Sequence, residues 1–360
     1  VLGLKGPCFS VTTVCSSSLV AVDAAAQNLQ HGRCVCGLVV GVNMISDAVT
    51  FLAYGAALAA DGKCKTFDAS ANGLGRGDSC GSLVLSADSN VYAVMLCGSA
   101  VNQDGRSASM SAPNGPSQVE ILRAVLQQAP HKTNRECSET HGTGTALGDP
   151  IELGALGQVL GDGASRASLV LGALKSRLGH TEGAAGVMGV LKAVGMMRAH
   201  FVPPNLHLRV TNPKLELELQ GFAVGMPSGV VVLAVSTVGC EVCAGVSSFG
   251  MSGTNAHALL AQTVEATTVV AARQASAVVY YQGSFGWWKQ MEHTPSEGVK
   301  STILLGTPTL LEPGDLAAWE RLWPTSTCSY MGQHCVGSTP LAPGMAYLFI
   351  VRQAVVASGD

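Results

Sequence analysis

Cys15-Ser16-Ser17-Ser18 stands between a β-branched run, Val11 to Val14, and a segment rich in Ala, Leu, Val and Gln, Leu19 to Leu29. This pattern predicts a strand that ends at Cys15 and turns sharply into a helix. Unpaired N–H groups and the dipole at such a helix start favour negative charge. A lowered thiol pKa and a nucleophilic thiolate are therefore expected there. The rival reading is an inert core cysteine, since free cysteines usually pack as small hydrophobes. Three later segments shift the balance: Glu139-Thr140-His141-Gly142-Thr143-Gly144-Thr145, then Lys175-Ser176-Arg177-Leu178-Gly179-His180-Thr181-Glu182-Gly183, then Ser247-Ser248-Phe249-Gly250-Met251-Ser252-Gly253-Thr254-Asn255-Ala256-His257. Each holds polar or ionisable groups among small residues beside a predicted strand end, where α/β folds build sites. Two histidines in such loops, with a helix-terminal thiol, point to covalent catalysis assisted by imidazole.

The elements that must position these residues read as an alternation. Residues 1–60 suggest strand, helix, strand, helix. The continuous apolar run Leu38 to Val42 suggests a buried parallel strand. Gly81 to Leu85 and Val91 to Val101 read as further strands. Val119, Leu122, Val125 and Leu126 recur at helical spacing and predict a helix over 117–128. A strand over Leu169 to Ala173 and a helix over Gly183 to Met197 continue the pattern, which argues for a layered α/β fold. Gly73, Gly75 and Gly77 do not match the G-x-G-x-x-G spacing of a nucleotide loop, and no helix pattern follows them.

The bulk numbers exclude several classes. Of 360 residues 47% are hydrophobic and 12% charged, enough for sizeable cores. A net charge of −3 leaves no basic footprint for nucleic acid. The longest apolar run, Val230 to Val235, is too short for a membrane span. The 12 cysteines are scattered, with no secretory signal, so reduced thiols are expected. Cys240 and Cys243, and Cys34 and Cys36, lack a second ligand pair at zinc-site spacing, and no metal is expected. The expected location is a cytoplasmic or plastid-like soluble compartment. The chain begins with Val, and a fragment lacking its true N-terminus is expected.

The four chemistry-bearing segments occur in one order, together with Asp61-Gly62-Lys63-Cys64-Lys65-Thr66-Phe67-Asp68 and Val101-Asn102-Gln103-Asp104-Gly105. In this they resemble the ketosynthase (β-ketoacyl synthase) domains of modular polyketide synthases, over residues 1–262. The resemblance implies a thiolase-like fold, a layered αβαβα body of two related halves with the first half incomplete here, and a homodimer in the intact protein. It implies that Cys15 takes an acyl chain from a phosphopantetheine thioester. His141 and His180 would bind the carbonyl of a malonyl-type extender and assist its decarboxylation. Lys175 would order and polarise that histidine site, with Glu139 near it. The N–H of Cys15 and one from the Phe249–Gly250 loop would form an oxyanion hole. No cofactor is expected on the domain itself, and the implied partner is an acyl carrier protein. The alternative is a non-elongating or inactive remnant that only binds or passes acyl chains. Such domains often lack the first histidine, and His141 is present.

Two departures from the family stand out. Thr12-Thr13-Val14 replaces the usual Asp-Thr-Ala, placing a bulky residue beside the nucleophile. Residues 228–243 are apolar where the family is commonly polar. Beyond residue 262 the alternation stops. Residues 263–330 read as a linker. Residues 331–360 resemble the opening of a dehydratase hot-dog domain, with His334 nine residues before Pro343-Gly344 as its implied catalytic histidine.

Overall fold

A computed structural model describes residues 5–45, 57–87, 94–107, 109, 112–129, 134–161, 169–218, 222–233 and 241–263, with short strands at 307–309, 318–320, 335–336 and 339–340. The chain divides into two compact units, Val1–Ala275 and Ser276–Asp360. The first unit opens with helix α1 (Ser17–Gln30), strands β1 (Cys36–Asn43), β2 (Ser79–Ser86) and β3 (Met95–Gln103), and helix α2 (Gly115–Gln128). It continues with β4 (Asn134–Glu139), α3 (Gly148–Leu160), β5 (Leu169–Gly172), the single turn α4 (Lys175–Leu178) and α5 (Ala185–Ala199). Next come β6 (Phe201–Val202), α6 (Pro213–Glu218), β7 (Val224–Gly225), β8 (Val231–Val232), β9 (Glu241–Phe249) and β10 (Thr254–Thr263).

Six strands form one mixed sheet in the order β3-β10-β9-β4-β5-β7. The β9–β10 hairpin and β3 are antiparallel, whereas β9, β4, β5 and β7 run parallel. Helices α1 and α5 cover one face, and α2 and α3 the other. On the first side Leu19, Val22, Val187, Val190 and Met197 pack on Val246, Ala256 and Ala258. On the second, Val119, Leu122, Leu153 and Leu156 pack on Leu169 and Leu171. A second sheet, β1 with β2, lies on the outer side of α1 and α5, where Val39 joins the same core. The described residues thus stack as sheet, helices, sheet, helices, which is the thiolase-like layering expected.

Local chemistry explains the main elements. Asn114 caps α2 by accepting the N–H of Ser117 at 3.2 Å, and Pro116 occupies the first turn where its missing N–H costs nothing. The helix gives way to extended backbone at Ala129, the residue before Pro130. Between two sheets α5 is apolar nearly all round, as a fully buried helix must be. Gly186 permits its close approach to α1, because a Cβ there would lie 2.5 Å from the backbone N of Leu19.

Two expectations fail. Residues 11–13 form no ladder with any described residue, and a 3₁₀ turn, Val14–Ser16, leads into α1. Strand β1 is antiparallel to β2, not parallel, and is half-covered. Leu38, Val40 and Val42 are 49%, 44% and 47% exposed while Val39 is 4% exposed. Alternate side chains of a strand point to opposite faces, and among the described residues only one face of this two-stranded sheet meets a helix. A run apolar on both faces hides that asymmetry in sequence. In the second unit Thr307–Thr309 pairs with Ala318–Glu320, and Cys335–Val336 with Thr339–Pro340. His334, Pro343 and Gly344 of the dehydratase-like motif lie outside the described residues.

Candidate active site

Cys15 occupies the turn just ahead of α1 and is 6% exposed. Hydroxyls wrap this turn. Ser17 Oγ accepts the N–H of Thr13 at 2.8 Å and donates to Val14 O at 2.6 Å, and Ser16 Oγ donates to Thr13 O at 2.9 Å. Short hydroxyl side chains thereby satisfy backbone groups that a sharp turn would strand. Ser248 Oγ, from β9, donates to Cys15 O at 2.7 Å and ties the turn to the central sheet. Val14 sits at φ 57°, a left-handed conformation that β-branched residues very rarely adopt.

Three segments converge on the thiol from three strand ends. His180 Nε2 lies 3.0 Å from Cys15 Sγ. The rings of His141 and His180 meet edge to face with centroids 5.5 Å apart. His180 Nδ1 accepts the N–H of Glu182 at 3.2 Å, and His141 Nδ1 accepts the N–H of Phe249 at 3.3 Å. A ring nitrogen that accepts from a backbone N–H carries no proton in the neutral imidazole, so both rings bear hydrogen on Nε2. Burial holds both histidines well below the ordinary range, and the positive charge of Lys175 adds to the effect. The site therefore presents two neutral N–H donors near physiological pH.

The thiol departs from expectation. Burial pushes Cys15 up to about 11; the N–H of Met251 and the charge of Lys175 pull it down, but by less. Desolvation of a charged sulfur outweighs the helix start, a contest that sequence cannot weigh. The oxyanion donors also need correction. The N–H of Phe249 is committed to His141, and that of Gly250 to Thr254 O at 2.8 Å. The loop N–H that reaches the sulfur is Met251's. Gly250 serves by being small, since a Cβ there would lie 2.5 Å from Thr13 O.

Lys175 is buried at the first turn after β5, and burial lowers its pKa while Glu139 and Glu152 raise it. Glu139 makes its direct contacts elsewhere: its carboxylate meets Lys192 Nζ at 2.5 Å and accepts the N–H of Leu174 at 2.5 Å. Lys192 was not foreseen from sequence. Neither were two buried carboxylates of α3. Glu152 accepts the N–H groups of His141 and Gly142, and Asp149 those of Phe67 and Gly144 at 2.9 and 3.0 Å. Acids three residues apart at a helix start, Asp149 and Glu152, were the available signal.

The remaining motifs are braces. Thr66 Oγ1 donates to Gly142 O at 2.7 Å. Asn255 Nδ2 donates to Asp104 Oδ1 at 2.7 Å, and Asp104 N–H to Gly253 O at 2.8 Å, closing the β9–β10 turn. His257 shares a hydrogen bond with Ser247 Oγ across the hairpin. Gly75 and Gly77 flank His180 in backbone pairing: His180 N–H donates to Gly75 O at 2.5 Å, and Gly77 N–H to His180 O at 3.0 Å. No helix among the described residues is long and apolar enough to cross a membrane, and no described cluster of His, Cys, Asp and Glu could hold a metal.

A buried thiol faced by two neutral imidazoles in a thiolase-like body is the arrangement of a thiol-dependent condensing enzyme. The chain belongs to the β-ketoacyl synthase family: residues 1–90 match the N-terminal domain of the β-ketoacyl synthases and residues 92–209 their C-terminal domain, together more than half of the chain. Among named relatives, it is 40% identical over 279 residues to a phenolphthiocerol/phthiocerol polyketide synthase subunit of Mycobacterium tuberculosis, covering 73% of this chain and 14% of that protein. It is 44% identical over 273 residues to polyketide synthase GfsB of Streptomyces halstedii, covering 73% and 5%. Among solved structures, the ketosynthase from module 6 of the bacillaene synthase of Bacillus subtilis 168 superposes with a TM-score of 0.68 at 35% identity, over 72% of this chain and 48% of that one. The chain thus spans a small part of the named synthases and about half of the solved ketosynthase.

Proposed function

We propose that the chain performs the decarboxylative Claisen condensation of a polyketide synthase, with Cys15 as the nucleophile and His141 and His180 as donors to the enolate. The thiol attacks an acyl thioester carried on the phosphopantetheine of an acyl carrier protein. The carbon–sulfur bond to Cys15 forms, the bond to the pantetheine sulfur breaks, and the thiol proton passes to the leaving sulfur. Backbone N–H groups of Cys15 and Met251 stabilise the transient oxyanion. A malonyl-type thioester then loses CO₂. Its enolate oxygen takes hydrogen bonds from the two Nε2–H groups while its carbon attacks the acyl carbonyl and breaks the carbon–sulfur bond to Cys15, which leaves as a thiolate and regains its proton from solvent.

The observation that carries this reading is the 3.0 Å approach of His180 Nε2 to Cys15 Sγ, with both Nδ1 atoms occupied by backbone donors. The presence of His141 beside His180 favours condensation over passive acyl transfer. In a homodimeric synthase the same site serves a chain held by its carrier protein. For residues 331–360 we propose the opening of a dehydratase domain, on the motif from His334 to Gly344. The deciding experiment reads the two half-reactions separately. Cys15→Ala abolishes covalent loading by an acyl thioester, seen by intact-mass spectrometry. His141→Ala loads but condenses on the order of 10²-fold more slowly. Wild-type loading of Cys15→Ala, or wild-type condensation by His141→Ala, overturns the assignment.

A further inference from the structure

We propose that Arg76 and Glu182 are a positioning pair that fixes the tautomer and place of His180, and through it the donor facing Cys15. The proposal rests on the reading above only where activity is measured. Glu182 sits at φ 40°, in the left-handed region that non-glycine residues seldom occupy. That conformation turns its N–H onto His180 Nδ1 at 3.2 Å. The strained backbone is held from its far end, because the Glu182 carboxylate accepts from Nε of Arg76. The two side chains are 13% and 4% exposed, so water competes little for this charge-assisted bond.

Arg76 is itself registered to His180. The two residues form a parallel bridge, built from the hydrogen bonds of Gly75 and Gly77 to the His180 backbone. The fit is close enough that a Cβ on Gly77 would lie 2.0 Å from Leu178 O. The chain therefore closes a ring: from the Arg76 backbone to the His180 backbone, along two residues to Glu182, and back through the ion pair to Arg76. The ring leaves Nδ1 one backbone donor to accept, which places the hydrogen on Nε2. With that donor withdrawn, the other tautomer becomes accessible and turns a nitrogen lone pair toward the sulfur, where it opposes a thiolate. Neither Arg76 nor Glu182 touches the reacting atoms. Both act through His180.

The test uses the whole chain labelled with ¹⁵N-histidine. In the wild type, His180 should give the nitrogen shifts of an unprotonated Nδ1 and a protonated Nε2. Glu182→Gln keeps the shape but removes the charge. It should show a mixed tautomer and load acyl thioester on the order of 10–100-fold more slowly, as misplaced catalytic groups do, at a melting temperature near the wild type's. Arg76→Lys, which keeps the charge without the planar fork, should fall between the two. A folded Glu182→Gln with the wild-type shifts and the wild-type loading rate overturns the proposal. If Glu182→Gln does not fold, Arg76→Lys is read by the same two criteria. A wild-type chain that loads no acyl thioester would count against the condensing-enzyme reading instead, and the nitrogen shifts alone would then decide the positioning role.

Discussion

The carboxylate of Glu152 accepts the backbone N–H of His141 at 2.7 Å and that of Gly142 at 2.9 Å, so the first histidine's loop is held by its backbone from helix α3. An ionised carboxylate can accept both bonds, whereas a glutamine offers one oxygen and turns its NH₂ against the other N–H. Glu152→Gln should therefore loosen the loop, costing about 1–3 kcal/mol of stability and slowing condensation more than loading. Burial pushes Glu152 up to about 7 from 4.5. A carboxyl raised on folding binds its proton more tightly in the native state. Its contribution is complete below the unfolded value and is lost as pH rises through the folded one. Urea melts across that window should show wild-type stability falling with pH and Glu152→Gln falling less. Equal slopes would remove Glu152 as the source.

The thiol makes a second pH prediction. Cys15 is pushed up to about 11 from 9.0. Its thiolate fraction, and with it alkylation by iodoacetamide, should rise about tenfold per pH unit and keep rising past the ordinary cysteine range. Lys175→Met removes a charge that favours the thiolate and should slow labelling at every pH. Labelling that levels off near 9, or a Lys175→Met chain that labels faster, would show the sulfur to be less buried than its surroundings indicate.

Sequence made the chemistry more legible than its support. Cys15, His141, His180 and Lys175 were readable as candidates because chemistry-bearing side chains must be of particular types and here sit among small residues at strand ends, and the structure brings Cys15, His141 and His180 together. The helix expected over 117–128 was readable from its apolar spacing, and it begins two residues earlier, at Gly115. Arg76, Gly75 and Gly77 were not, because they act through backbone pairing that any residue type could make. Asp149 and Glu152 were hidden for a related reason: a carboxylate that accepts backbone N–H groups leaves no mark on the sequence of the loop it holds. The direction of the Cys15 shift depended on burial, which is a property of the assembled layers. The half-exposed face of β1 depended on which layer covers it.

Val14 carries strain that a substitution can release. A left-handed conformation costs an L-residue about 1–2 kcal/mol, against the roughly 0.5–1 kcal/mol that glycine loses through its freer unfolded chain. Val14→Gly should be neutral to slightly stabilising in a thermal melt and yet load acyl thioester more slowly, because the turn before Cys15 becomes free to move. Faster loading by the variant would mean that the strain hinders the nucleophile.

Gly250 makes the opposite trade. A methyl group there would lie 2.5 Å from Thr13 O and 2.9 Å from Ser16 Oγ. Gly250→Ala should push the β9–β10 turn off the nucleophile and withdraw the Met251 N–H. A stability loss of about 1–3 kcal/mol is expected from such overpacking, with loading reduced more than acyl-thioester binding. An alanine variant that loads at the wild-type rate would show that the turn can retreat without loss of the donor.

The ion pair of Glu139 with Lys192 offers a test in which the pair and its members should behave differently. The two side chains are 3% and 9% exposed, and their charged atoms are 2.5 Å apart. Lys192→Met leaves the carboxylate buried beside the N–H of Leu174, with Lys175 as its nearby cation. Breaking a buried pair from one side costs about 3–5 kcal/mol, whereas removing both charges costs far less. Glu139→Gln combined with Lys192→Met should therefore recover most of the stability lost by Lys192→Met, since glutamine still accepts from Leu174. Activity should not recover with it. Glu139 raises the pKa of Lys175, and the charge of Lys175 adds to the burial that holds both histidines neutral. The double variant should melt near the wild type and condense more slowly, with loading less affected. A double variant as unstable as Lys192→Met would show that the two charges are not a pair in the energetic sense.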